Sequence, residues 1–227
     1  PRVRRHCRVA HSLLSARWHL QPRCHHEPGH SSEPHRGANS IMATARIITF
    51  IEDLQQELAD NADPDSPFDP PYTTFDLGVI EGGTAHNIIP EYTHLNWGYR
   101  GLPDEVPDVL ENRVRAFIAE TVEPKLKAVA PHAGVTTVLR NTTPPLMPDV
   151  ESAAEQLIRH LTGLNESSTV SFGTEAGLFQ QAGIPGVIFG PGSIQQAHQP
   201  DEFIEVSQMA ECVAFIEKLM DWAETGA

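Results

Sequence analysis

The residues best suited to metal or acyl-group chemistry lie near the carboxyl end, in SFGTEAGLFQQAGIPGVIFGPGSIQQAHQPDEFI. Its two glycine-bearing turns, SFGTEAG and FGPGS, each end a short apolar run that predicts a strand. Because open α/β sheets bind ligands beside the carboxyl ends of their strands, we expect both turns to line one crevice. His198 follows in a stretch too polar for core packing. A neutral imidazole there could bind zinc, with Asp201 or Glu202 accepting a hydrogen bond from its other nitrogen. The competing interpretation is an ordinary solvated histidine.

Three shorter segments carry further polar groups. In GHSSEPHRGAN, His30 precedes two serines, and Asn39 or Ser40 could cap a following helix. In EGGTAHNIIP, Asn87 supplies an amide that both donates and accepts, after a glycine pair that permits a tight turn. Arg100 ends an alternating strand, where its guanidinium could clamp a carboxylate. By themselves, these segments are equally well explained as a turn, a hairpin connection and a solvated arginine.

The elements that must position His30, Asn87 and Arg100 predict a two-layer module. Apolar residues recur every three or four positions in two stretches, and they alternate with polar residues in others. The predicted elements are a helix over 38–58, strands over 73–80 and 92–100, a helix over 108–129 with a bend at Pro124, and a strand over 134–141. One more strand before the first helix would complete a ferredoxin-like βαββαβ module. We expect it within residues 20–30, although the composition there favours a strand only weakly.

The remaining residues predict an α/β arrangement. The expected elements are a helix over 150–161, a strand over 168–173, a helix over 175–182, a strand over 186–190 and a helix over 206–222. Two strands cannot form a sheet with two covered faces by themselves. The sequence therefore predicts the last third of a larger α/β domain whose other strands precede residue 1.

Composition excludes several classes of function. The 227 residues carry a net charge of -14, which argues against a nucleic-acid partner. No apolar run approaches the roughly 20 residues that span a bilayer, so no membrane partner is expected. Three scattered cysteines, Cys7, Cys24 and Cys212, are too few for a disulfide framework. We therefore expect a cytoplasmic protein.

Residues 1–28 are predicted to be an irregular basic segment that contributes no site and that could be non-native. Seven Arg and seven His lie within residues 1–40, with only two Glu. A mitochondrial transit peptide would also be basic, but Pro22 interrupts the amphipathic helix that it requires. The cluster of His25, His26 and His30 could indicate a metal-binding tract. It lacks flanking carboxylates, and a solvated tail explains it better.

The motifs, in their order and spacing, resemble the family that includes acetylornithine deacetylase and succinyl-diaminopimelate desuccinylase. The resemblance runs from about Gly29 to the carboxyl end and rests on GGTAHNIIPE, FGTEAGLFQ, AGIP and GPGSIQQAHQPDEFI. It implies a two-zinc amidohydrolase, with zinc or cobalt as the metal. In this family a zinc-peptidase-like α/β catalytic domain is split by a ferredoxin-like lid and dimerisation domain. The implied domains are 29–143 for the lid and 144–227 for the carboxy-terminal part of the catalytic domain.

The resemblance also implies a substrate, a partner and residue roles. The GTEAG loop favours hydrolysis of N-acetyl-L-ornithine to ornithine and acetate, in arginine biosynthesis, by a homodimer formed through the lid. His198 is implied as a metal ligand, and His30 as a lid histidine that reaches a neighbouring subunit's active site and stabilises the oxyanion. The implied substrate-binding residues are Asn87, Arg100, Gly173, Thr174 and Glu175.

The sequence departs from the family pattern before the lid. Family members carry an HxD motif, a bridging Asp, a Glu-Glu pair and a further carboxylate ligand there, whereas only Glu27 is acidic before residue 30. A catalytic zinc needs about three protein ligands, and the resemblance assigns one here. We therefore expect this chain to be inactive alone and to bind zinc or cobalt only with the missing ligands. A non-catalytic dimerisation or regulatory module, or a hydrolase of another N-acyl amino acid, are the alternatives.

Overall fold

The chain contains two compact units. The computed structural model describes residues 9–11, 14–23, 30–102, 107–149, 151–170 and 172–226. The larger unit comprises Leu13–Pro144 with Ser171–Gly173, and the smaller unit comprises Pro1–Ser12, Pro145–Val170 and Thr174–Ala227. His25, His26, Cys7 and Cys24 lie outside the described residues. Within the described ranges, no helix combines the length and apolar character needed to cross a membrane.

Both units contain strands and helices. The strands are β1 (Val9–His11), β2 (Leu14–Arg23), β3 (Thr74–Gly82), β4 (Thr93–Gly101), β5 (Gly134–Thr143) and β6 (Ser167–Thr169). The helices are α1 (Ser40–Asp60), α2 (Pro107–Phe117), α3 (Glu123–Lys127), α4 (Ala153–Thr162), α5 (Ala176–Gln181) and α6 (Val206–Thr225).

The larger unit has the predicted ferredoxin-like βαββαβ order. Its sheet has the strand order β3-β4-β2-β5, and every pairing is antiparallel. The core joins the helices to the strands, and it includes Ala43, Ile47, Ile51 and Leu54 of α1, Leu95, Trp97 and Tyr99 of β4, and Val114 of α2. Burying each of the larger aliphatic side chains stabilises the fold by about 1.5–3 kcal/mol. The alternate positions of β4, including His94, Asn96 and Arg100, therefore belong to the other face of the sheet.

The first strand of this module differs from the sequence-based expectation. It lies at Leu14–Arg23 rather than within residues 20–30, and it occupies part of the segment predicted to be irregular. The positions from Leu14 to Leu20 alternate between apolar residues and the polar or basic residues Ser15, Arg17 and His19, a period-two pattern that the high basic content obscures. Pairing on both sides, with β4 and β5, makes β2 a central strand.

The predicted bend near Pro124 takes the form of a widened helical turn. A π-helical turn at Ile118–Val122 separates α2 from α3, and Pro124 stands in the first turn of α3. Proline lacks the N–H that would continue the regular hydrogen-bond ladder. A single π turn absorbs this break while Ile118 and Val122 stay buried.

The smaller unit contains a two-stranded parallel sheet, in which β1 pairs with β6. Its longest helix, α6, has one packed stripe formed by Gln208, Cys212, Phe215, Leu219 and Trp222. A neighbouring apolar stripe, formed by Val206, Met209, Val213, Ile216 and Met220, is at least 46% exposed at each position. We call this second set the α6 stripe.

The second strand expected in this unit does not form a ladder. Residues 186–190 contain a single bridge residue, Ile188, and β6 ends at Thr169 rather than at residue 173. A strand needs a neighbour with which to exchange backbone hydrogen bonds, and the described part of the smaller unit gives β6 one such neighbour, β1. Apolar composition alone therefore overestimated the strand content.

Candidate functional site

His30 and Asn87, which are far apart in sequence, lie against each other in the larger unit. His30 forms an isolated antiparallel bridge with Ile88. Beside it, the backbone N–H of Ser31 donates to the carbonyl oxygen of Asn87 at 3.0 Å. Both predicted site residues are exposed. We call residues 30–32 with residues 87–88 the His30–Asn87 corner.

The amino terminus of α1 holds this corner in place. Of the two candidate caps, Asn39 and Ser40, it is Asn39 whose side chain accepts a hydrogen bond from the N–H of Met42, at 3.0 Å. Ser40 donates its N–H to the carbonyl of Pro90 at 2.9 Å, and its hydroxyl lies 2.8 Å from that of Thr93. These buried contacts tie the helix to the chain that follows Asn87.

The glycine pair that precedes Asn87 is required by close contacts. A side chain at Gly82 would place its Cβ 2.8 Å from the hydroxyl of Thr93 and 2.9 Å from the carbonyl of Tyr92. Gly83 has a φ of +77°, which disfavours other residues. The EGGTAHN segment therefore turns sharply from β3 and presents Asn87 next to His30.

A cavity of about 300 Å³ adjoins the corner. Its lining includes Ser31, His86 and Ile88, which flank His30 and Asn87 in sequence, together with Asn39 and Ile41 at the start of α1. A second cavity, of about 270 Å³, lies in the smaller unit and is lined by residues of α4 and α6 and by Phe189. None of the predicted site residues lines this second cavity.

Arg100 is separated from the His30–Asn87 corner within one chain. It lies near the end of β4, where it pairs with Thr74 and Ser15. Thr93, at the start of the strand, contacts Ser40 at the amino terminus of α1, which holds the corner. The seven residue-to-residue steps of extended strand from Thr93 to Arg100 correspond to roughly 23 Å. The structure therefore brings His30 together with Asn87 but does not bring Arg100 to them.

The GTEAG loop precedes α5. The hydroxyl of Thr174 accepts a hydrogen bond from the N–H of Ala176 at 3.2 Å. The carbonyl of Glu175 accepts hydrogen bonds from Leu178 and Phe179 at 2.9 and 3.3 Å, and the Glu175 residue is exposed. Gly173 is half-buried and belongs to the larger unit.

His198 is exposed in the loop between residue 190 and α6. Its φ is +61°, and Asp201 has a φ of +60°. The carboxylate of Glu202 accepts a hydrogen bond from the backbone N–H of His198 at 3.0 Å. The sequence offers Asp201 or Glu202 as the acceptor for the second imidazole nitrogen, and in the structure Glu202 instead accepts the backbone N–H of His198. His198 is not packed in the interior.

Gln208 also shapes this loop, and sequence reasoning missed it. Its side chain is 7% exposed, and its Oε1 accepts a hydrogen bond from the N–H of Gly192 at 3.0 Å. Gly192 belongs to the FGPGS turn and has a φ of +100°. A polar residue on the packed stripe of α6 was the available signal.

The described residues do not form a complete metal site. Within the described ranges, no three His, Cys, Asp or Glu side chains cluster closely enough to hold a metal ion. A catalytic zinc requires about three protein ligands, so His198 and its neighbours do not satisfy it. The donor set for the implied zinc or cobalt is therefore incomplete in this part of the chain.

Comparison with known sequences identifies the family. Residues 14–125 match the peptidase dimerisation domain. Over 196 residues the chain is 32% identical to an acetylornithine deacetylase from Myxococcus xanthus, covering 83% of this chain and 48% of that one. Over 181 residues it is 34% identical to an acetylornithine deacetylase from Proteus mirabilis (strain HI4320), covering 80% and 45%. The chain thus spans about half the length of these relatives.

Solved structures show the same fold. A di-peptidase from Saccharomyces cerevisiae superposes with a TM-score of 0.68 at 14% identity, covering 94% of this chain and 55% of that one. A dinuclear metal binding peptidase from Bacillus subtilis has a TM-score of 0.56 at 13% identity, with 92% and 49% covered. Together with the motifs of the sequence, these matches show that the chain belongs to the amidohydrolase family that contains the acetylornithine deacetylases.

Proposed function

We propose that this chain forms the carboxy-terminal portion of a metal-dependent N-acyl-amino-acid hydrolase of the acetylornithine deacetylase type. The observation that carries the proposal is the His30–Asn87 corner. The bridge between His30 and Ile88 and the hydrogen bond between Ser31 and Asn87 place two implied site residues side by side. The relatives named acetylornithine deacetylase support N-acetyl-L-ornithine as the substrate and a role in arginine biosynthesis.

The corner and Arg100 would perform different tasks. A ring nitrogen of His30 would donate a hydrogen bond to the oxyanion that forms on the acyl carbonyl, and Asn87 would hold the amide. Arg100 would pair with the substrate carboxylate, for which its planar guanidinium is suited. The distance of roughly 23 Å along β4 between Thr93 and Arg100 exceeds the length of one N-acyl amino acid. This separation supports the expectation that His30 serves the active site of a neighbouring subunit.

The dimer would form through the β3 edge of the larger unit. In the described sheet, β3 has a neighbour, β4, on one side only. Leu77, Val79 and Ile80 of this strand are 39–53% exposed. Exposed edge strands pair readily with a second strand. An antiparallel pairing of β3 with its copy would extend the sheet across both subunits.

The smaller unit would be completed by the half of the relatives that this chain does not match. The α6 stripe repeats at steps of three and four residues, which is the spacing of a helix face that packs on another element. A two-stranded parallel sheet also needs layers on both faces. The amino-terminal half of the relatives is the natural source of these layers and of the missing metal ligands.

Within such an enzyme, the residues of this chain would bind and orient the substrate. Thr174 and Glu175 would contact the amino-acid end from the α5 side, and His198 would contribute one metal ligand. The metal, when bound, would supply the polarisation needed for amide hydrolysis. The described residues lack the rest of the ligand set, so this chain alone is expected to be inactive.

A fusion experiment tests the proposal. The amino-terminal half of the Myxococcus xanthus deacetylase is joined ahead of Pro1, so that β1 and β2 are kept. Ornithine release from N-acetylornithine is measured beside hydrolysis of N-acetylmethionine. We expect the fusion to prefer N-acetylornithine and the chain alone to hydrolyse neither. Equal rates on both substrates would contradict the deacetylase assignment and favour a hydrolase of another N-acyl amino acid.

The alternative is a non-catalytic dimerisation module. The incomplete ligand set among the described residues is the observation that favours it. A fusion that is dimeric and binds metal, yet hydrolyses no N-acyl amino acid, would support this second function.

A further inference from the structure

The imidazole of His30 receives two contacts from the same residue. The backbone N–H of Ser32 donates to Nδ1 of His30 at 3.2 Å. The hydroxyl oxygen of Ser32 lies 2.7 Å from the same nitrogen. Both contacts are made to Nδ1, and neither involves Nε2.

A backbone N–H can only donate, and this decides which nitrogen carries the proton. In a neutral imidazole, one nitrogen is a donor and the other an acceptor. If Nδ1 carried the proton, that proton would point at the N–H hydrogen of Ser32, and the two would repel. A lone pair on Nδ1 instead accepts the hydrogen bond from this N–H. The serine hydroxyl rotates freely and can then donate to the same lone pair. The remaining proton therefore lies on Nε2.

We propose that Ser32 is a positioning residue that holds His30 as the neutral Nε2–H tautomer. Its backbone N–H selects the tautomer, and its hydroxyl strengthens the preference and fixes the ring plane. The catalytic consequence rests on the proposed function, in which His30 donates a hydrogen bond to an oxyanion. The tautomer itself does not depend on that function.

The tautomer determines what His30 can do. An Nε2–H group can donate to a developing negative charge, which requires a donor held in place before the reaction. The same proton occupies the lone pair that Nε2 would need to bind a metal. His30 is thereby assigned to hydrogen bonding and separated from His198, whose proposed role is metal binding.

The backbone around Ser32 makes this arrangement stiff. Ser31 donates its N–H to the carbonyl of Asn87, and Glu33 donates its N–H to the carbonyl of His30 at 2.9 Å. The bridge between His30 and Ile88 fixes the same stretch. The donor of Ser32 is therefore aimed at Nδ1 by contacts that do not involve its own side chain.

Nuclear magnetic resonance of the full chain, labelled with ¹⁵N in histidine, tests the tautomer directly. Long-range couplings from the ring protons distinguish protonated from unprotonated nitrogens. Among neutral rings, we expect His30 to populate the Nε2–H form more fully than the exposed His132 does in the same protein. A predominant Nδ1–H form, or a population equal to that of His132, would overturn the proposal.

Two substitutions isolate the hydroxyl. Ser32→Ala should raise the Nδ1–H population of His30, although the retained backbone N–H keeps Nε2–H the major form. Ser31→Ala is the matched control, because it alters the neighbouring serine and leaves both contacts to Nδ1 in place. Identical spectra for Ser32→Ala and Ser31→Ala would refute a role for the hydroxyl.

The fused enzyme gives a second readout. Ser32→Ala should lower kcat about tenfold with little change in KM, and Ser32→Thr, which keeps a hydroxyl, should restore most of it. A change in KM alone, or equal losses for Ala and Thr, would contradict a positioning role. If the fusion has no activity while the tautomer is as expected, the proposed function fails and the assignment of Ser32 stands.

Discussion

His198 adopts a backbone conformation that few residues other than glycine adopt. Its φ of +61° and that of Asp201, +60°, fall in the left-handed region, where a non-glycine residue costs about 1–2 kcal/mol. The carboxylate of Glu202 accepts the His198 N–H and stabilises this loop. Strained backbone of this kind is concentrated at ligand sites. The geometry therefore supports the proposed role of His198, although it does not supply the other ligands.

The metal role of His198 can be measured in the fused enzyme. We expect His198→Ala to lower the bound zinc per chain, since a catalytic site with one of about three protein ligands removed binds zinc less tightly. Metal analysis after dialysis gives the stoichiometry. Gln199→Ala, which alters the adjacent exposed residue, should leave it unchanged. Equal zinc content in His198→Ala and the unmodified fusion would show that the ligand lies elsewhere.

Glu123 links α3 to the edge strand β5. Burial raises the pKa of this carboxyl, but hydrogen bonds from Lys127 and from the N–H of Val135 outweigh burial, so that the pKa lies below its ordinary value. The contact with Val135 is 3.0 Å long. A lowered pKa means that the ionised carboxylate is better stabilised in the folded than in the unfolded chain.

This carboxylate should make stability depend on pH. Its contribution is complete above the ordinary pKa of a glutamate and is lost as the pH falls through the lower folded value. Glu123→Gln should therefore reduce the free energy of unfolding by about 1 kcal/mol at pH 7 and by less at about pH 3, below the ordinary glutamate pKa of about 4.3. Urea titrations at both pH values measure the difference. Glu120→Gln, at an exposed position of the same helical segment, is the control. If Glu123→Gln lowers the free energy of unfolding equally at both pH values, the ionised contact is not the cause.

Periodicity in the sequence identified the helices and strands that have one buried face. The repeat in α1 and the alternation in β4 were predicted correctly, since Ile47 and Leu95 face one core. The pattern in β2 was overlooked because Arg17 and His19 stand at alternate positions of a basic segment. Residues 186–190 were wrongly predicted to form a strand, because apolar composition does not say whether a neighbouring strand exists.

The two edges of the larger sheet allow a matched test of the dimer. The register places Val79, Asn96, His19 and Val138 in one row across the four strands. Val79 on β3 is 41% exposed and Val138 on β5 is 43% exposed, so they differ mainly in the edge to which they belong. We expect Val79→Lys to convert a dimer into a monomer, because a lysine on an edge strand opposes pairing with another strand.

The control for this test is Val138→Lys, which should remain dimeric. Sedimentation equilibrium measures the molecular mass of both variants, and circular dichroism shows whether each one folds. If Val138→Lys dissociates the dimer and Val79→Lys does not, the interface uses the β5 edge and the proposed pairing of β3 is wrong.

Sequence reasoning proposed candidate site residues but could not determine which of them lie together in the folded chain. The Asn39 cap followed from local rules, since its partner Met42 is three residues away. The contact between residues 31 and 87, and the separation of Arg100 from both, depend on strand register across the sheet. Long-range register is set by the packing of the whole unit, which local patterns do not encode.

The α6 stripe provides the test of how the smaller unit is completed. If the amino-terminal half of the relatives covers it, a charge within the stripe should prevent assembly, because an unpaired carboxylate buried among apolar groups is strongly unfavourable. We expect Ile216→Asp to abolish binding of the separately expressed amino-terminal half of the Myxococcus xanthus deacetylase, measured by calorimetry.

Ala210→Asp adds the same charge to the polar side of α6 and should bind normally. Ile216 is 47% exposed, so its replacement should change the stability of this chain by less than about 1 kcal/mol. Loss of binding with both variants would show that the contact is not confined to the stripe, and normal binding with Ile216→Asp would show that the stripe is not the docking surface.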